Sequence, residues 1–181
     1  MPRISEERRE QRRRHILTSA WRCFARDGFH ATSMDDVIAA SGLSASGVYR
    51  YFRSKDELID AAGRESMRLF RELFDRLLGQ RPPPTRTQLL AEVVAMIEEP
   101  PDDLSRIAVQ AWAEALRRPS LAEHARDFHA ELRADLTTLA GRWDVEDPEA
   151  VATLLATLLP GLLIAHHVLG GIPTEALFKA F

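Results

Sequence analysis

Cysteine is nearly missing from these 181 residues: Cys23 stands alone, so no internal disulfide can form. Residues 1–6, Met-Pro-Arg-Ile-Ser-Glu, contain no apolar run of the kind a secretory signal needs. Without an oxidised framework or such a signal, the expectation is a reduced, cytoplasmic protein. Strand formers are also scarce. Eight Val and eight Ile stand against 25 Ala and 23 Leu, a bias that favours helix over sheet and predicts an all-α fold. Neither HExxH nor CxxC occurs, and no cofactor is expected. His124, Asp127 and Glu131 share a helical spacing, but a solvated charged face accounts for them. The lone cysteine falls on an apolar helix face and has no evident base beside it. A nucleophilic or metal-dependent enzyme therefore has no visible machinery. There is no internal repeat, and with 45% apolar and 28% charged residues the chain is of ordinary globular composition.

The net charge of −3 conceals a polarity. Residues 1–55 carry 11 bases and 6 acids, a balance of +5, whereas residues 56–181 carry 13 bases and 21 acids, a balance of −8. The first third is the part suited to a polyanion. Its arginines Arg3, Arg8, Arg9, Arg12, Arg13 and Arg14 alternate with Glu6, Glu7 and Glu10, which a solvated tail would also show.

Helical periodicity begins near Arg12 with Ile16, Leu17, Ala20, Trp21, Cys23 and Phe24, and stops at Asp27-Gly28. Ser33 is a cap candidate for a second helix, with Asp36 in the third position beyond it. After the tight turn Ser41-Gly42-Leu43, Ser44 can cap a third helix carrying Val48, Tyr49 and Phe52. Ser54 and Glu57 begin a long fourth helix that ends at Gly79, and Pro82-Pro83-Pro84 forbids its continuation. Leu89 to Ile97 form the next helix, ended by Pro100-Pro101. Asp102 or Asp103 starts another, stopped at Pro119. Ser120 is expected to cap the helix that follows, and Asp147-Pro148 opens the last. Ala150–Leu169 has no formal charge, which raises the question of a membrane span. Thr153, Thr157, Pro160, Gly161, His166 and His167 interrupt it, so burial against the core and a second subunit is the better reading.

Three helices joined by a Gly-containing turn in the basic third suggest a helix-turn-helix. The residues are Gly28-Phe29-His30-Ala31-Thr32-Ser33, Val37-Ile38-Ala39, Ser41-Gly42-Leu43-Ser44 and Val48-Tyr49-Arg50-Tyr51-Phe52-Arg53-Ser54-Lys55-Asp56-Glu57-Leu58. Over about residues 12–62 this run closely resembles the DNA-binding domain of the TetR family of bacterial transcriptional regulators. The resemblance implies that Thr32 and Ser33 hold a phosphate at the start of the second helix, and that Ser44, Ala45, Ser46 and Gly47 open the recognition helix. Tyr49 and Tyr51 match aromatic positions whose hydroxyls reach phosphate or base, and Lys55 matches a phosphate-binding lysine. Arg50, between the tyrosines, is the candidate for a longer base or phosphate contact. The order Ser46-Gly47 departs from the family's commoner Gly followed by Thr, Ser or Ala.

These readings assign residues 1–55 to DNA binding and 56–181 to effector binding and dimerisation. The resemblance implies that helices near 120–142 and 148–169 pair with a symmetry mate, so that two recognition helices read a palindromic double-stranded operator. Phe70, Phe74, Met96, Ile97, Trp112, Leu116 and Phe128 are candidates to line a cavity for a small, mostly apolar effector, with His166 as a polar contact. The expected function is a repressor released by that effector. A helical interaction adaptor that does not bind DNA is the alternative.

Overall fold

A computed structural model describes residues 6–99 and 103–180. Arg3, Pro100-Pro101 and Asp102 lie outside the described residues. The order is α1 (Glu6–Ala31), α2 (Met34–Ser41), α3 (Ala45–Tyr49), α4 (Lys55–Leu78), α5 (Arg86–Glu98), α6 (Leu104–Ala115), α7 (Pro119–Ala140), α8 (Pro148–Val168) and α9 (Thr174–Ala180). No strand occurs among the described residues, as the Ala- and Leu-rich composition led one to expect. The chain divides into two compact units, Met1–Arg64 and Glu65–Phe181, a division that falls inside α4.

In the first unit α1 begins at Glu6, well before its first buried residue, Ile16. The leading turns contain good helix formers, and Glu6 and Glu7 lie where the helix dipole favours negative charge. Gly28 breaks the helical path with φ 87° and ψ 162°, the stop foreseen at Asp27-Gly28. The core of the unit contains Ile16, Phe24, Phe29, Val37, Val48, Phe52, Leu58 and Ile59, all nearly or fully buried. Cys23 belongs to it as well, and burial raises its thiol pKa above the ordinary value.

In the second unit α7 packs on α6 and α8, and α5 packs on α6, α8 and α9. Its core draws on Phe70, Phe74, Leu89, Ile97, Ile107, Leu121, Leu132 and Leu163. Thr85 and Gln88 form a reciprocal capping box at the start of α5, and Trp143 Nε1–H donates to Pro84 O at 3.0 Å, pinning the proline-rich connector to the end of α7. Asp147 caps α8 through Ala150 N–H at 3.0 Å, as its sequence indicated. Ser120 does not cap α7: the helix starts at Pro119, with Arg118 in the cap position and making no side-chain cap hydrogen bond. Glu114 is a buried carboxylate whose oxygens accept from Arg117 Nη2 at 2.7 Å and Arg118 Nε at 2.8 Å.

Candidate nucleic-acid interface

The turn between α2 and α3 is fixed by short-range chemistry. Ser33 Oγ accepts from Asp36 N–H at 3.1 Å, and the Asp36 carboxylate accepts in return from Ser33 N–H at 2.8 Å and from its hydroxyl at 2.6 Å. These donors to the ionised form hold the Asp36 pKa below the usual carboxylate value. Gly42 then reverses the chain at φ 65°, a left-handed conformation glycine adopts without penalty. Ser44 Oγ accepts from Gly47 N–H at 3.2 Å and so caps α3.

On α3 the faces separate cleanly. Val48 is fully buried and Phe52, just beyond the helix, almost so, whereas Ser44, Ala45, Ser46, Tyr49 and Arg50 are exposed and Gly47 is half-buried. Five candidates therefore project from one small, solvent-facing surface. Tyr51 is half-buried beside it. Lys55 opens α4, and its Nζ donates to His30 O at 2.6 Å, leaving two further ammonium protons for an anion. Thr32 departs from expectation. It is 1% exposed, and its hydroxyl donates to Gly28 O at 2.9 Å, because the chain end of α1 folds over it. Its side chain braces the bend ahead of α2 instead of facing a phosphate. Two supports escaped the sequence reading: His15 Nε2–H donates to Ser41 O at 2.8 Å, and the Arg13 guanidinium lies 4.8 Å from the centre of the Phe52 ring. Their partners are 26 and 39 residues away in sequence, so no local pattern announces them.

The Asp36 arrangement gives a pH prediction. Because its carboxyl is held below its ordinary value in the folded state, its contribution is present above about pH 4 and is lost as pH falls through the lower, folded value. Thermal melts of the wild type should therefore fall in acid. Ser33→Ala should lower the neutral-pH melting temperature, as loss of a cap does, and flatten that acid limb.

The effector candidates lie in the second unit. Phe70, Phe74, Ile97 and Phe128 are buried, and Met96, Trp112 and His166 are half-buried. Phe70, Trp112 and Phe128 surround a space of only about 10 Å³ with Ser66, Ala108 and Leu163. Phe74 borders another of about 20 Å³ with Leu89, Leu132 and Leu159. Each is room for about one water, against roughly 300–1,000 Å³ in a typical ligand pocket. Phe70, Phe74, Ile97 and Phe128 form closed core in this conformation, whereas Trp112 and Leu116 also border an open recess of about 430 Å³ with Arg126, His129 and Arg133. Leu116 is 89% exposed, since α6 ends just before it, and it lies on the wall of that open recess and outside the core. His166 stacks edge-on against His167, whose Nε2 lies 2.9 Å from Ser105 Oγ. Burial, then the neighbouring His166 and Arg106, lower the His167 pKa. Among the described residues no three His, Cys, Asp or Glu side chains are placed to hold a metal.

Residues 16–62 match the profile of the bacterial regulatory proteins of the tetR family, and residues 84–180 match the C-terminal domain of BetI-type transcriptional repressors. The chain belongs to the TetR family. It is 30% identical over 177 residues to the HTH-type transcriptional repressor Rv1474c of Mycobacterium tuberculosis, covering 86% of this chain and 95% of that one. It is 26% identical to the HTH-type regulator BetI of Burkholderia lata over 99% of this chain and 93% of that one. Among solved TetR-like folds, a Saccharomonospora viridis regulator in complex with choline superposes with a TM-score of 0.69 at 24% identity, covering 94% and 93% of the two chains. The multidrug-binding protein EbrR, complexed with imidazole, superposes with a TM-score of 0.73 at 20% identity, covering 93% and 92%. Membership makes this TetR-family chain a DNA-binding transcriptional regulator and not an enzyme.

Proposed function

We propose that the protein is a cytoplasmic repressor that binds a palindromic operator as a homodimer and leaves it when a small, mostly apolar effector binds. The observation that carries the DNA-reading part is α3. Its buried side is spent on Val48, while Ala45, Ser46, Tyr49 and Arg50 face outward within a segment of +5 charge. Small residues let the backbone approach base edges, and Arg50 supplies reach and charge. Ser33, Ser44, Tyr51 and Lys55 border it as phosphate contacts. Residues 1–55 read DNA in this proposal, and 56–181 carry pairing and effector binding.

Pairing is supported by α8. Ala150, Leu154, Thr157, Gly161, Ile164 and Val168 recur at three- and four-residue spacing along its exposed side, a stripe without charge. Among the described residues α8 is the one helix long and apolar enough to cross a membrane. The small and hydroxyl-bearing residues in the stripe suit close helix–helix contact, and we assign it to a second copy of the chain, with the α7 segment near 120–142 completing the bundle. The effector enters the aromatic region around Phe70, Phe74, Trp112 and Phe128, with Met96, Ile97 and His166 near it; the choline and imidazole of the two solved relatives are ligands of comparably small size. An effector that favours the pairing geometry with wrongly spaced recognition helices weakens DNA binding in proportion to its preference for that state.

The test is selection from a random duplex library, followed by a salt titration on the enriched sequence. An inverted repeat is expected. Arg50→Ala combined with Lys55→Ala should cost about 1–3 kcal/mol for the base contact and flatten the salt slope by about 1 for the phosphate contact. Unchanged affinity would favour an interaction adaptor instead.

A further inference from the structure

The open recess between α6 and α7 has a volume of about 430 Å³, within the usual range for a small-ligand pocket. Small side chains make the hollow. Ala115 on α6 and Ala122, Ala125 and Ala130 on α7 each end at a methyl group, so the two helices do not fill the space between them there. Trp112, half-buried, and Leu116, 89% exposed, supply the apolar side from α6. A lone exposed leucine is ordinary, but this one shares a concave surface with an indole ring, apolar area that a ligand can remove from water. The turn joining the walls is braced: the buried Glu114 carboxylate accepts from Arg117 and Arg118, tying the end of α6 to the start of α7.

The α7 side is cationic. Arg126, His129 and Arg133 lie at i, i+3 and i+7, hence on one stripe of the helix. Residues 56–181 carry a balance of −8, yet no carboxylate is among the residues that line the recess. Around Arg133 the helix positions a partner would take hold His129, Ala130, Leu136 and Thr137, none of them an acid. Neither Arg126 nor Arg133 forms an ion pair among the described residues, so an incoming anion displaces no resident carboxylate. Their guanidinium groups present forked donors that match a carboxylate, and the His129 imidazole adds a ring N–H. An apolar wall beside a cationic stripe suits a ligand that is both. We propose that this recess binds a small monocarboxylate with an apolar body, the body against Trp112 and Leu116 and the carboxylate on Arg126 and Arg133. Trp112 is the only residue that this recess shares with the two small interior spaces, so the site is distinct from the interior one proposed for the effector. It also stands apart from the reading of α3.

The experiment is calorimetric titration of the full-length protein, without DNA, with octanoate, octanol and acetate in turn. Octanoate is expected to bind once per chain. Octanol lacks the charge and acetate the apolar body, and each should bind at least about 10-fold more weakly. Arg126→Ala combined with Arg133→Ala should weaken octanoate by at least about 10-fold and leave octanol unchanged. Ala130→Phe fills the recess and keeps both arginines, and it should abolish octanoate binding. All three substitutions fall at exposed positions, so both variants should keep the wild-type melting temperature. Octanoate that binds both variants as it binds the wild type occupies some other place, which would overturn the site. Absence of octanoate binding at millimolar concentration would overturn it too. Octanol as tight as octanoate would remove the arginines from recognition, and acetate as tight as octanoate would leave a bare anion site; either result overturns the amphipathic ligand. A failure of operator selection, measured separately, would count against α3 and leave this outcome standing.

Discussion

Leu154→Arg combined with Ile164→Arg is expected to yield a monomer that binds the operator about 10³-fold more weakly, near the lower bound of the gap between specific and non-specific binding. Both side chains are large and apolar, yet 54% and 43% exposed, and both lie on the charge-free stripe of α8. Arginine at an exposed position leaves the subunit interior intact. At a pairing surface it places several uncompensated charges against their own symmetry copies, because a two-fold interface presents every residue twice. The measurement is sedimentation, where the wild type should run at twice the 20.4 kDa chain mass and the variant at the chain mass itself. A monomer keeps one recognition helix and loses the second half-site, so enrichment of an inverted repeat should vanish with the dimer. A variant that still sediments as the dimer would remove α8 from the interface.

Phe24→Ala should destabilise the first unit by about 3–5 kcal/mol, the range for deleting a buried aromatic side chain. Phe24 is completely buried, and its ring meets Phe29 edge-to-face, 4.9 Å between centres and 82° between planes. A loss of this size rivals the whole stability of a small domain, roughly 5–15 kcal/mol. Hydrogen exchange is the sensitive readout, since protection should collapse in α1 to α3 and persist in α7 and α8. Phe178→Ala, at a position 37% exposed, serves as the control and should stay within about 0.5 kcal/mol of wild type. Equal loss of protection in both units would mean that they unfold as one.

What could be read in advance was what is local. The Ser33–Asp36 box, the Ser44 cap, the turn at Gly42 and the Asp147 cap each link groups no more than three positions apart, and each stands in the structure where sequence placed it. The elements from α1 to α8 were legible for a similar reason, since proline, glycine and apolar periodicity mark their ends. The start of α1 was not: Glu6 to Gln11 form helix without apolar residues, so periodicity gives no signal there. Nor was α9, seven residues long and short of a clear stripe. The misread side chains are those whose fate is tertiary. Thr32 looks like a surface hydroxyl until the bend at Gly28 buries it, and Leu116 looks like core until α6 stops one residue short of it. Phe70, Phe74, Ile97 and Phe128, named as effector lining, lie in the interior, but no sequence pattern distinguishes a filled core from a hollow one.

That filled interior has a kinetic consequence. A molecule larger than water cannot enter spaces of 10–20 Å³, so an effector using this route waits for the helices of the second unit to part. Its association rate then levels off with concentration at the rate of parting, far below the diffusional limit. Its apparent dissociation constant is the intrinsic one divided by the open fraction, so an interior open about one part in a hundred weakens binding about 100-fold. In the proposed mechanism the same closure raises the concentration of inducing compound needed for release from DNA about 100-fold.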